Sequence, residues 1–245
     1  MKKILFFTLI LLIAFPSGSI GQGRNDRPWE FFGGIAATNY FGDIGGTSHD
    51  KWLSLEGCRV ENTRPAIQLG LRYWDLINWD RFAVSGTLSM GWLRGNDKGG
   101  PNAGRDYHFS TLFVEPSARL EFFPVKNYQL LSRVSRRGSL RNGGLFSFYV
   151  FGGAGAVAYH VMPNENLEDW RESEGIDHGF ITGVIPVGLG LKLGISDTMD
   201  LGLETGRRFA LNDYLDGYTS DASKYNDVYY LTTIQLVYRF QRFGR

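Results

Sequence analysis

Apolar and polar residues alternate with a period of two through most of this chain. In 66–73, Ile67, Leu69, Leu71 and Tyr73 alternate with Ala66, Gln68, Gly70 and Arg72. In 82–92, Phe82, Val84, Leu88, Met90 and Trp92 form the apolar phase; in 112–122, Leu112, Val114, Ala118, Leu120 and Phe122 stand against Glu115, Ser117, Arg119 and Glu121. In 185–193, Ile185, Val187, Leu189, Leu191 and Leu193 oppose Pro186, Gly188, Gly190 and Lys192. Alternation of this kind predicts strands with one apolar and one polar face. Four less regular segments, Trp29–Tyr40, Phe146–His160, Met199–Phe209 and Val228–Phe240, bring the predicted count to eight strands. Strands of roughly ten residues are the length a tilted strand needs to cross a bilayer.

Alternation does not say which face points outward, because a soluble ligand-binding barrel would turn the same apolar set inward. Three features favour the membrane. The polar phases mix small residues with charges of both signs, Arg72, Glu115, Arg119, Glu121, Lys192, Glu204 and Arg208, which suits a narrow lumen where charges pair. Aromatic residues gather at strand ends: Trp29, Trp74, Trp79, Phe82, Phe122, Phe123 and Phe240 at one rim, and Tyr40, Trp92, Phe109, Tyr159 and Phe209 toward the other. Such girdles mark the two membrane interfaces. The last strand also ends on alternating Tyr238 and Phe240, similar to the C-terminal signal of bacterial outer-membrane proteins. The expected fold is therefore all-β: an eight-stranded antiparallel transmembrane β-barrel in the outer membrane of a Gram-negative cell, surrounded by its lipids.

The amino-terminal residues agree with export. Lys2 and Lys3 precede a twelve-residue apolar run, Ile4 to Phe15, and Ser19-Ile20-Gly21 supplies small residues for cleavage. This reads as a signal peptide over 1–21, with the barrel over 22–245. Twelve apolar residues are too few for a helical span of about 30 Å of hydrocarbon. Losing the two lysines takes the net charge from +1 to −1, so nothing points to nucleic acid. The single Cys58 forms no internal disulfide and reads as a loop thiol.

With both termini in the periplasm, 41–63, 94–107, 161–180 and 210–227 become long outer loops, and 75–80 and 196–198 become short periplasmic turns. The connection 124–145 breaks the pattern. It is long, and carries Lys126, Arg133, Arg136, Arg137 and Arg141 without an acid. It is either a solvated loop or a docking surface for an acidic periplasmic partner, whose encounter five like charges would accelerate.

Candidate chemistry is thin. The histidines, His49, His108, His160 and His178, fall in or near outer loops. A lipid-modifying hydrolase needs nucleophile, base and acid held together, but on one strand His108 and Ser110 face the side opposite Glu115. Asp43, Asp213 and Asp216 lie on loops that strand closure brings near each other. Asp-x-x-Asp beside glycine is read as turn and cap chemistry, ahead of calcium ligation. No catalytic residue, metal or cofactor is assigned. An open pore is disfavoured because an eight-stranded lumen is generally filled by side chains.

Three stretches resemble a known family. Asn39-Tyr40-Phe41-Gly42-Asp43, the run Ile185 to Lys192, and Leu201-Gly202-Leu203-Glu204 leading through Arg208 to Asp213-Tyr214-Leu215-Asp216 are similar to the PorG-like outer-membrane barrels of Bacteroidota. The resemblance runs in pieces over most of 22–245. Gly217 stands where that family usually continues with an acid, and Asn212 where threonine is common. The resemblance implies a non-enzymatic component of the type IX secretion (gliding) machinery, in contact with periplasmic ring proteins of the PorK-like and PorN-like kinds. A lipid-A-modifying enzyme, an orphan barrel or receptor, and a small-solute pore are the alternatives.

Overall fold

The computed structural model describes residues 29–44, 60–74, 81–98, 103–124, 146–174, 180–196, 198–219 and 226–240. Residues 1–21, expected to be a signal peptide, lie outside the described residues with Cys58, Trp79, His49 and His178, as do Lys126, Arg133, Arg136, Arg137 and Arg141.

Eight strands form: β1 (Trp29–Phe41), β2 (Arg64–Trp74), β3 (Phe82–Asn96), β4 (His108–Phe122), β5 (Phe146–Pro163), β6 (Ile181–Gly194), β7 (Met199–Ala210) and β8 (Val228–Arg239). Each pairs antiparallel with its neighbour in sequence, and β1 closes on β8 through a register running from Glu30–Arg239 to Phe41–Val228. The sheet therefore has no edge.

The burial pattern is inverted relative to a water-soluble barrel. On β7, Leu201 and Leu203 are 40% and 47% exposed while Asp200, Glu204 and Arg208 are 4%, 1% and 1%. Leu69, Leu71, Leu88, Leu112, Leu120, Ile185, Val187, Leu189, Ile234 and Leu236 face outward in the same way on the other strands. The soluble-barrel alternative required this set to point inward and is excluded. An outward belt so apolar suits hydrocarbon rather than water. Replacing Leu203, near the middle of β7, by arginine is expected to cost about 2–4 kcal/mol of folding free energy in lipid. Equilibrium denaturation from phospholipid vesicles measures it.

Two prolines thin the wall around β5. The β4–β5 pairing runs Val114–Ala158 and resumes at Ser117–Gly155, and the β5–β6 pairing runs Gly152–Val187 and resumes at Gly155–Val184. Pro116 and Pro186 stand in these gaps, and neither has an N–H to give the ladder.

The loop after β5 holds an element that the sequence reading did not anticipate, helix α1 (Glu165–Glu174). Its first turn carries Glu165 and Glu168, which favour the positive end of a helix. Glu168 N–H donates to the Asn164 carbonyl at 2.9 Å, while the Asn164 side chain accepts from His108 N–H at 3.1 Å and ties the helix to β4. Leu167 is fully buried beneath it, so α1 packs over the end of the barrel away from Trp29 and Phe240.

Candidate functional site

The interior of the barrel is built from the polar phase of each strand. All seven residues assigned to the lumen, Arg72, Glu115, Arg119, Glu121, Lys192, Glu204 and Arg208, are buried there. They do not form one cluster. Arg72 donates through Nη1 to Glu30 at 2.8 Å and through Nε to Glu121 at 2.5 Å. Lys192 donates to Glu30 at 2.7 Å and lies 3.6 Å from Asp200, which also accepts from Arg239. Arg119 grips Glu204 with two bonds, at 2.6 and 3.2 Å, and reaches Glu121 at 3.3 Å. Ser85 donates to Glu121 at 2.5 Å, Tyr149 donates to Glu204 at 2.8 Å, and Gln235 donates to the Tyr149 hydroxyl at 3.2 Å. This network draws a side chain from every one of the eight strands and balances four cations with four carboxylates. Such balance is what lets ionised groups stay out of water.

Arg208 and Glu115 form a separate pair, 3.6 Å apart, with the Tyr229 hydroxyl donating to Glu115 at 2.7 Å. The residues missed in sequence, Glu30, Asp200, Tyr149, Ser85 and Gln235, all stand on inward positions of their strands.

Aromatic rings pack inside the barrel toward both of its ends. At the end that carries Trp29 and Phe240, Phe123 stacks on Tyr149 at 4.9 Å and Trp74 leans on Phe123 at 4.5 Å, while Arg72 lies over Phe32 and Arg119 over Phe151. At the opposite end, Tyr40 meets Phe109 edge-on and Phe113 meets Tyr229. The expected girdle is thereby corrected. Trp29, Phe82, Trp92, Phe122, Phe209 and Phe240 do lie on the outward phase, but Trp74, Phe123, Tyr40, Phe109 and Tyr159 point inward and plug the barrel. Strand phase, not nearness to a strand end, decides the side.

The second of these plugs is roofed by two of the stretches that carried the family resemblance, 39–43 and 213–216. Asn39 donates to Thr63 at 2.8 Å. The Tyr40 hydroxyl donates to Asp227, and a Cβ at Gly42 would overlap that hydroxyl, so only glycine allows the chain to turn there. Asp216 accepts from the backbone N–H of Ile44 at 3.3 Å and of Tyr218 at 2.9 Å, joining segments 172 residues apart. Asp227 accepts from Leu215 N–H at 2.8 Å, and Thr111 donates to the Leu215 carbonyl at 2.7 Å. Asp213 accepts from Thr219 at 3.2 Å. Gly217 has φ of +77°, with its N–H donating to the Tyr214 carbonyl. That left-handed turn gives a physical reason for glycine, rather than an acid, at this position. Asp43 meets the cap through its carbonyl, which accepts from Arg105 at 3.0 Å; Arg105 also pairs with Asp97 and lies over Tyr107 and Tyr218.

The carboxylates of this cap thus serve turns and interloop bonds, as turn chemistry requires. Asp227, which the sequence reading did not single out, is central to them. Burial, reinforced by the neighbouring Asp213 and Asp43, pushes the Asp216 carboxyl up to about 8, and burial beside Asp216 raises Asp227 well above the ordinary carboxylate range. His108 and Ser110 stand on the outward phase of β4 and Glu115 in the lumen, so these three do not assemble a hydrolytic site.

No protein-family description and no curated protein matches this chain. Eighteen solved chains do. Ail, the attachment invasion locus protein of Yersinia pestis, solved with the heparin analogue sucrose octasulfate, is 12% identical with a TM-score of 0.45, over 88% of this chain and 100% of that one. The outer-membrane protein OprG from Pseudomonas aeruginosa is 10% identical with a TM-score of 0.43, over 90% and 99%. The outer-membrane enzyme PagL is 14% identical with a TM-score of 0.32, over 87% and 99%.

Proposed function

We propose that this chain is a non-enzymatic outer-membrane barrel that serves as an assembly component of type IX protein secretion, with its work done at its rims. The observation that carries the reading is the packed interior. A charge-balanced network reaching all eight strands, with aromatic rings packed inside the barrel toward each end, favours a structural role for the lumen over a transport one. The resemblance supplies the pathway. Its most specific stretch, which ends in Asp213, Tyr214, Leu215 and Asp216, meets the stretch of Asn39, Tyr40, Gly42 and Asp43 in a single cap, which favours a shared structural unit over chance similarity. Both termini and the turns 75–80 and 196–198 then sit in the periplasm, with the apolar belt in outer-membrane lipid. Lys126, Arg133, Arg136, Arg137 and Arg141 offer the docking surface for PorK-like or PorN-like ring proteins.

Genetic complementation tests this. A strain lacking the chain should lose type IX cargo from its medium and regain it with the wild-type protein. It should not regain it with a variant in which the five cations are reversed to glutamate. That variant should also co-purify less ring protein, most clearly at low salt, where exposed charges are least screened. Intact cargo export in the deletion strain defeats the secretion reading and leaves an orphan barrel or receptor. Export restored fully by the reversed variant defeats the docking surface alone.

A further inference from the structure

Among the described residues, no cation pairs with the two carboxyls at the centre of the cap. Asp216 and Asp227 are both fully buried, and neither forms an ion pair with a lysine or arginine among the described residues. Their partners are the backbone N–H groups of Ile44, Tyr218 and Leu215 and the Tyr40 phenol, on which both converge. The other titratable groups facing them make the site more negative. Asp43 comes from the end of β1, Asp213 from their own loop, and Tyr159, with Tyr214 beside it, from β5 and the loop. The guanidinium on the adjoining loop, Arg105, is engaged with the Asp97 carboxylate and the Asp43 carbonyl. The lumenal pair of Arg208 and Glu115 is self-contained with Tyr229 below. Two carboxylates buried together without a counter-charge cannot both be ionised at ordinary pH.

We infer that Asp216 and Asp227 form a proton-sharing latch that closes the outer cap of the barrel, so that the cap is tight in acid and loosens as the medium becomes alkaline. The latch spans three chain segments: residue 44 after β1, the 213–219 loop, and the start of β8. With a proton held between the pair, all four backbone and phenol bonds are satisfied. When it leaves, repulsion pushes the 213–219 loop away from Ile44 and from Asp227, which uncovers Leu215 and Ile44.

The direction follows from linkage. In the open cap, Asp216 returns to its ordinary value of 3.8, and in the closed cap it sits at about 8. The closed form therefore holds more protons across that window. Closure is strongest below about pH 4, weakens steadily as pH climbs, and reaches its minimum above about pH 8.

Hydrogen exchange on the full chain, refolded into phosphatidylcholine vesicles, tests the latch. Protection of the Ile44, Leu215 and Tyr218 amides, corrected for the intrinsic pH dependence of exchange, should fall on the order of tenfold or more between pH 6 and pH 9. Barrel amides such as those of Leu203 and Leu236 should hold theirs. In the Asp216→Asn, Asp227→Asn double variant, which keeps the acceptors but cannot ionise, cap protection should be independent of pH. Flat protection in the wild type overturns the inference even if the variant does not assemble. Equal loss in wild type and variant also overturns it, because another group is then titrating.

Discussion

Replacing Arg119 by leucine is expected to destabilise the barrel by about 3–5 kcal/mol, because it strands the Glu204 carboxylate in a buried interior. Arg119 is buried, holds Glu204 with two bonds, reaches Glu121, and lies over the Phe151 ring. Once it is gone, Glu121 retains Arg72 and Ser85, but Glu204 keeps only the Tyr149 hydroxyl. The loss should therefore fall mainly on Glu204. A double variant with Glu204→Leu removes the stranded charge and should recover a large part of the loss, giving a double-mutant coupling of several kcal/mol. The denaturant midpoint and the heat-dependent gel shift of the refolded protein measure both. A single variant as stable as wild type would show that the network is ornamental. A double variant no better than the single would show that Arg119 acts through packing on Phe151 and not through charge.

How much of this could be read from the chain depends on what each residue answers to. A strand whose apolar phase meets lipid announces itself locally, which is why β2, β3, β4 and β6 were legible from alternation. Most of the lumen charges were legible for the same reason: each stands in phase with its own strand. Glu30 and Asp200 escaped because they sit next to the first residue of strands whose alternation is broken by glycine or begins late. The glycines themselves were opaque. Gly70 on β2 is small because the Phe32 ring from β1 occupies the place of its side chain, and nothing in the sequence around Gly70 says so. The same holds for the cap. Asp227 looks like an ordinary loop residue, and its partners Tyr40 and Leu215 are 187 and 12 residues away. Helix α1, Glu-Asn-Leu-Glu-Asp-Trp-Arg-Glu-Ser-Glu, has only Leu167 and Trp170 on an apolar stripe, and its order comes from docking on the barrel rather than from its own pattern. Misplaced aromatics teach the complementary lesson. Trp74 is in phase with Arg72 and Phe123 with Glu121, so their inward orientation is written in the strand phase even though both stand at strand ends.

The same cross-strand logic predicts that Gly190→Ala, a change of one methyl group, will impair assembly as severely as loss of a lumen charge. A Cβ at Gly190 on β6 would lie 2.2 Å from Cζ of Tyr149 and 2.4 Å from its hydroxyl, well inside contact distance. The ring has little room to retreat. Its hydroxyl is fixed between Glu204 and Gln235, and its face is stacked on Phe123 at 4.9 Å. Either the ring leaves the network or β6 moves away from β5, whose ladder already has gaps opposite Pro116 and Pro186. Overpacking of a filled interior costs about 1–3 kcal/mol, and here loss of the Tyr149–Glu204 bond adds to it. Gly152→Ala and Gly86→Ala supply the control, since a Cβ at either position meets nothing within 4 Å. Those two should fold as well as wild type, or slightly better, because alanine has less freedom to lose. Combining Gly190→Ala with Tyr149→Ala should restore the fraction of refolded, heat-modifiable barrel seen with Tyr149→Ala alone. If Gly190→Ala refolds normally without it, the ring is not wedged against β6, and the packing around Tyr149 is looser than these distances imply.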